Sequence, residues 1–141
     1  MRLYLDSSVL VAAFAPEKFT SRALDILGKA SEVLISELTV TETRVSLIRK
    51  RKRKAMTATE VDEALAEIED AIRDGTLGVE PLPVAYRAAE EMANRVTIPV
   101  RAMDALHVAM AARLGADLAT FDADQAAAAR AEGMTVHSET P

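Results

Sequence analysis

Short apolar runs alternate along this chain with longer segments of helical periodicity, and no other feature constrains the fold as tightly. Leu3-Tyr4-Leu5 stops at Asp6, and the apolar stretch 9–14 follows two serines, which predicts a strand, a tight turn and a helix closed by Pro16. Ser7 or Ser8 would cap that helix, because a side-chain hydroxyl accepts a hydrogen bond from the exposed amides of a first turn. A second helix over residues 21–29 precedes a strand at 33–35 and a long helix over 38–54. Thr57-Ala58-Thr59-Glu60 reads as a capping box for the next helix, in which Val61, Leu65, Ile68 and Ile72 keep helical spacing and Gly75 is the stop. That apolar stripe fits either a groove for a partner segment or simple core packing.

A weak strand at 77–79 gives way to Pro81 and Pro83, then to a helix over 85–95 and a boundary at Pro99. Met103, Leu106, Met110 and Leu114 form the stripe of a further helix ending at Gly115. A strand at 117–120, a helix over 123–132 and a last strand at 134–136 complete the series. Strands alternating with helices predict an α/β fold with a mostly parallel central sheet and helices on both faces.

With 141 residues, half of them hydrophobic, the chain has the length and core of one domain spanning 1–141. It contains no cysteine, which excludes disulfides, thiolate metal sites and a thiol nucleophile. No stretch is long and apolar enough for a signal peptide or a membrane span, so a cytoplasmic protein with no membrane partner is expected.

Four acids stand out by context rather than by number, since most of the 22 acidic residues must simply face water. Asp6 ends the first strand and Asp122 follows the strand at 117–120, so both belong at the carboxyl edge of a parallel sheet, where open α/β folds place ligands. Glu42 lies about one turn into the helix after the strand at 33–35. Asp104 sits among Ala102, Met103, Ala105 and Leu106 on a helix that reads as buried, an expensive place for an unpaired carboxylate. Gathered together, such groups would repel one another and be driven towards protonation unless a cation joined them. An all-oxygen donor set suits Mg²⁺ or Mn²⁺, whereas zinc would draw on histidine or cysteine. Asp124 competes with Asp122 as the fourth acid, or serves as a helix-start residue favoured by the dipole. His107, one turn after Asp104, reads as a packed side chain, with orientation of Asp104 as the alternative.

The segments Leu3-Tyr4-Leu5-Asp6-Ser7-Ser8, Ser36-Glu37-Leu38-Thr39-Val40-Thr41-Glu42, Arg101-Ala102-Met103-Asp104-Ala105-Leu106-His107-Val108-Ala109 and Ala119-Thr120-Phe121-Asp122 together resemble the PIN domain. In order and spacing they are most similar to the toxin subunit, VapC-type, of VapBC toxin–antitoxin pairs. The resemblance implies a three-layer fold and a metal-dependent endoribonuclease. Asp6, Glu42 and Asp104 would be its central metal-binding acids and Asp122 a more variable fourth. Ser8 and Thr120 would line the site, unless they only cap turns. It also implies an RNA substrate, a labile antitoxin partner and a homodimer. A PIN nuclease of RNA processing, or a non-catalytic signalling or interaction domain with an acidic pocket, is the alternative. A phosphoacceptor domain would pair two acids after its first strand, and a dehalogenase-type phosphatase would place an aspartate where Ser8 stands.

A formal charge of −5 sits awkwardly with a polyanionic substrate. With the four site acids set aside, 18 acidic residues face 17 basic ones, leaving −1, which bound divalent ions would push further towards positive. The run Arg49, Lys50, Arg51, Lys52, Arg53, Lys54 offers RNA an electrostatic footing that reads no bases. Equally, it is a solvated helix terminus where cations meet the negative end of the dipole.

Overall fold

The computed structural model describes residues 1–81 and 85–139; Pro83, expected to interrupt the chain, lies outside them. Strand β1 (Arg2–Leu5) leads into α1 (Ser7–Phe14) and α2 (Thr20–Leu27), then β2 (Glu32–Ser36), α3 (Glu37–Lys52) and α4 (Ala58–Arg73). After β3 (Gly78–Glu80) come α5 (Tyr86–Arg95), α6 (Ala102–Leu114), β4 (Asp117–Ala119), α7 (Ala123–Ala131) and β5 (Val136–His137). All pairings are parallel, and the five strands lie in the order β3-β2-β1-β4-β5.

Two apolar layers sandwich the sheet, and the two-residue period of a strand decides which residue enters which. Leu3, Leu5, Ile35 and Ala119 pack with side chains of α1 to α4, among them Val9, Leu10, Ile26, Leu47, Val61 and Ile68. Tyr4, Leu34 and Leu118 face the opposite layer with Met92, Val108, Met110 and Ala128 from α5, α6 and α7. Being central and covered on both sides, β1 is apolar without alternation, as strands buried on both faces are. The expected stripe on α4 is therefore core: Val61 and Ile68 are buried, and Leu65 and Ile72 pack against the same cluster rather than lining an open groove.

Helix starts follow local chemistry. Ser36 and Thr39 form a capping box on α3, and Thr57 and Glu60 form the expected one on α4. For α1 the cap is neither Ser7 nor Ser8 but Asp6, whose carboxylate accepts from the Val9 amide. Both serines already have helical geometry, which leaves Asp6 as the half-turn residue between strand and helix. Gly115 ends α6 with φ of 60°, a left-handed conformation that glycine adopts at no steric cost. The chain order runs from β1 to β2 on one side while β4 lies on the other, so the sheet has its topological switch point between β1 and β4.

Candidate metal centre

At that switch point the Asp6 amide donates to the Ala119 carbonyl at 3.1 Å, which locks the end of β1 against the end of β4. The Asp6 carboxylate is buried and fully engaged. Oδ1 accepts from Ser8 Oγ at 2.6 Å and from the Val9 amide at 3.1 Å, and Oδ2 accepts from Thr120 Oγ1 at 2.6 Å. The two hydroxyls also brace the adjoining loop: the Phe121 amide donates to Ser8 and the Asp122 amide to Thr120. Ser8 and Thr120 thus contact the acid directly while also holding the turn. Burial raises the Asp6 pKa above the ordinary carboxylate range, against the lowering effect of these hydrogen bonds and of His107.

Asp104 occupies the first turn of α6 and is half-buried. The sequence suggests a buried helix around it, yet α6 begins at the surface: Ala102 is exposed and Met103 is 53 % exposed. Its pKa is raised first by desolvation and then by the charge of Asp122, with Asp6 adding to the effect. A hydrogen bond from Gln125 and the proximity of His107 oppose the rise. Asp122 is the N-cap of α7, accepting from the Gln125 amide at 2.8 Å. Asp122 and Asp124 are both exposed, Asp122 as the cap and Asp124 in the first turn of α7.

Glu42 reaches the site from the second turn of α3, partly exposed, with Oε1 at 2.5 Å from Nε2 of His107. His107 is buried, as expected of a packed side chain, but the acid it contacts is Glu42 and not Asp104. Sequence reasoning passes over Gln125, Tyr4, Ser36 and Thr39. Gln125 Nε2 donates to Asp104 at 3.2 Å, while its Oε1 is buried without a hydrogen-bond partner. The signals that point to them are a glutamine in an alanine-rich helix three residues after an N-cap acid, and a tyrosine in an aliphatic strand.

The donor set has the chemistry of a hard divalent cation site: only carboxylates and no thiol, with Asp6 buried, Asp104 half-buried, Glu42 partly exposed and Asp122 exposed, and with the pKa of Asp6 raised by desolvation and that of Asp104 by desolvation and by neighbouring charge. Among the described residues no three acid or histidine side chains converge into a closed ligand set. Mg²⁺ does not require one, because it keeps several of its waters and takes only one or two carboxylates directly. A depression of about 390 Å³ lies on the Ser8 side of Asp6, lined by Ser7, Ser8, Glu17, Lys50 and Phe121, with none of the four acids in its wall. Of the basic run, Arg49 to Lys52 close α3, Arg53 is its C-cap and Lys54 turns left-handed with φ of 60°. Lys50 sits 3.6 Å from Glu17, and the other five cations are exposed.

Fold and site together define a class, a parallel three-layer α/β protein with a buried acid at the carboxyl end of its central strand and a second, half-buried acid near it. The chain belongs to the PIN-domain family: residues 3–131 match the model of the PIN domain, a family of nucleases whose members typically bind divalent metals. Its structure is similar to that of VapC20 from Mycobacterium tuberculosis, described as a sarcin-ricin loop cleaving toxin, with a TM-score of 0.69 and 22 % identity over 94 % of this chain and 96 % of that one. It is also similar to VapBC2 from Rickettsia felis bound to a promoter DNA fragment (TM-score 0.66, 12 % identity, 98 % of each chain). A third likeness is to FitAcB from Neisseria gonorrhoeae (TM-score 0.65, 18 % identity, 97 % of each chain). At these identities the likeness shows the fold. No curated protein sequence matches the chain. Among the described residues no helix is long and apolar enough to cross a membrane.

Proposed function

We propose that this protein is a Mg²⁺- or Mn²⁺-dependent endoribonuclease acting as the toxin of a type II toxin–antitoxin pair. The observation that carries the nuclease reading is the buried Asp6 carboxylate at the switch point, held by two hydroxyls and one amide, with Asp104 near enough to feel its charge and that of Asp122. Desolvated acids whose charges raise a neighbour's pKa are costly in a purely structural role and suit a cation site. When bound, the cation would activate a water for attack on phosphorus and offset charge on the phosphate and the leaving oxygen. Of Asp6, Glu42, Asp104 and Asp122, one or two would hold it directly and the others through its retained waters, while Ser8 and Thr120 keep Asp6 in place. Lys50, beside the depression that starts at Ser8, gives the substrate backbone a cationic foothold, and the exposed remainder of the run extends it.

The toxin reading rests on the structural likenesses, which are to proteins described as toxins or as toxin–antitoxin complexes. An acidic site also suits an inhibitor that inserts an arginine or lysine among the carboxylates, and it is there that an antitoxin would act. Purified protein should cleave cellular RNA only with Mg²⁺ or Mn²⁺, and Asp6→Asn and Asp104→Asn should each lower the rate by about 100-fold or more. Folded variants that cleave as fast as the parent would remove the site from consideration.

A further inference from the structure

Beneath Glu42 runs a line of buried polar groups to which the nuclease reading assigns no role: Ser36, Tyr4 and His107, flanked by Thr39. Tyr4, Ser36 and Thr39 are wholly inaccessible and His107 is nearly so. Buried polar atoms must be paired, and here the count of donors and acceptors sets the direction of the hydrogen bonds. Thr39 Oγ1 spends its one proton on the Leu5 carbonyl at 3.0 Å. Ser36 Oγ accepts from the Thr39 amide at 3.3 Å and lies 2.8 Å from the Tyr4 hydroxyl oxygen. That same oxygen is 2.8 Å from His107 Nδ1, and His107 Nε2 meets Glu42 Oε1.

An ionised carboxylate can only accept, so the hydrogen facing Glu42 belongs to Nε2. When the ring is neutral Nδ1 is its acceptor, and the Tyr4 hydroxyl supplies it. Ser36 in turn donates to the Tyr4 oxygen, and every hydroxyl along this line has a partner for its proton. Burial pushes the Tyr4 pKa up to about 12, so its hydroxyl keeps its proton at any physiological pH.

We infer that Tyr4 and His107 are positioning residues for Glu42, a hydrogen-bond chain that fixes the imidazole in its Nε2–H form and aims one donor at Oε1, leaving Oε2 for a ligand in the site. Only the assignment of Glu42 to the active site rests on the nuclease reading. Glutamate on a helix has three rotatable side-chain bonds, and the restraint on this one comes from α6 through His107, whose ring is in turn held by the central strand. Outer partners of this kind orient the groups that touch a cation.

Two measurements test this. Long-range ¹H–¹⁵N spectra of the metal-free protein, at a pH where the imidazole is neutral, should show the His107 proton on Nε2, with Nδ1 bare, and Tyr4→Phe should shift the Nδ1 resonance while the proton stays on Nε2. A proton on Nδ1 with Nε2 bare would overturn the inference. Mn²⁺ titrations of a double-mutant cycle form the second test. His107→Leu should weaken binding about 10-fold, and His107→Gln, which returns an N–H donor near Nε2, should recover most of it. On a Glu42→Gln background His107→Leu should cost less than about 2-fold, because its effect runs through the carboxylate. Equal losses on both backgrounds would make the chain a structural tie and overturn the inference. Absence of RNA cleavage with the Nε2–H tautomer and the non-additive cycle intact would sink the nuclease reading alone.

Discussion

The hydroxyl of Thr120 donates to Oδ2 of Asp6 at 2.6 Å across 114 positions of sequence. Thr120→Val keeps the shape and removes the donor from a wholly buried position. The ionised Asp6 then loses one of its three hydrogen bonds, so the metal-free protein should be destabilised by about 1–3 kcal/mol at neutral pH. Urea denaturation at pH 7 and again in acid checks this, and the deficit should shrink in acid as Asp6 takes up a proton.

Asp6 also dictates how stability varies with pH. Its folded pKa is raised above the ordinary value of 3.8, so its contribution is fully present below that value and is lost as pH rises through the folded pKa. Asp104, raised for related reasons, acts in the same direction. Calorimetry of metal-free protein should show a decline above about pH 4 that is shallower in Asp6→Asn. Saturating Mg²⁺ should flatten the parent's decline.

Gln125 spans two of the acids, with its side chain on Asp104 and its backbone amide on Asp122. Its buried, unpartnered Oε1 makes the side chain a stability liability. Gln125→Met, similar in shape, should change unfolding free energy by less than about 1 kcal/mol, since a lost hydrogen bond is offset by removal of the orphaned oxygen. Mn²⁺ affinity should nevertheless fall by roughly 10-fold, because Asp104 loses the group that orients it. A large loss of stability with unchanged affinity would reverse that ranking.

The exposed cations of the basic run can be separated from the helix that carries them. Arg49, Lys52 and Arg53 changed together to glutamine should weaken RNA binding and lower the slope of log K against log salt by about 0.7 for each phosphate of a single strand that is no longer neutralised. Lys50 is left out of this variant because it pairs with Glu17. Binding and slope that match the parent would assign the run to helix termination alone.

Much of this arrangement can be read along the chain because strand ends and helix starts carry local marks. The run Leu3-Tyr4-Leu5 ending at Asp6, the capping box at Thr57 and the stop at Gly115 each depend on near neighbours and are present as expected. The serines after Asp6 look like the cap in sequence, but a cap is decided by where the strand lets go of the backbone, and that point is Asp6 itself. Asp104 looks buried because Ala102 and Met103 are apolar; which turn of a helix reaches the surface depends on what packs against it. The contacts between Tyr4, His107 and Glu42 join β1, α6 and α3, segments up to 103 positions apart, and no local pattern encodes them.

The two helical layers come from different parts of the chain, α1 to α4 from residues before 74 and α5 to α7 from residues after 85. Asp6 and Glu42 are therefore synthesised with one layer and Asp104 and Asp122 with the other. A nascent chain that has left the ribosome only as far as α5 holds half the acids, and the carboxyl end of β1 has no β4 to close it. Whatever chemistry these acids perform together is thus withheld during translation until the segment through Asp122 has left the ribosome.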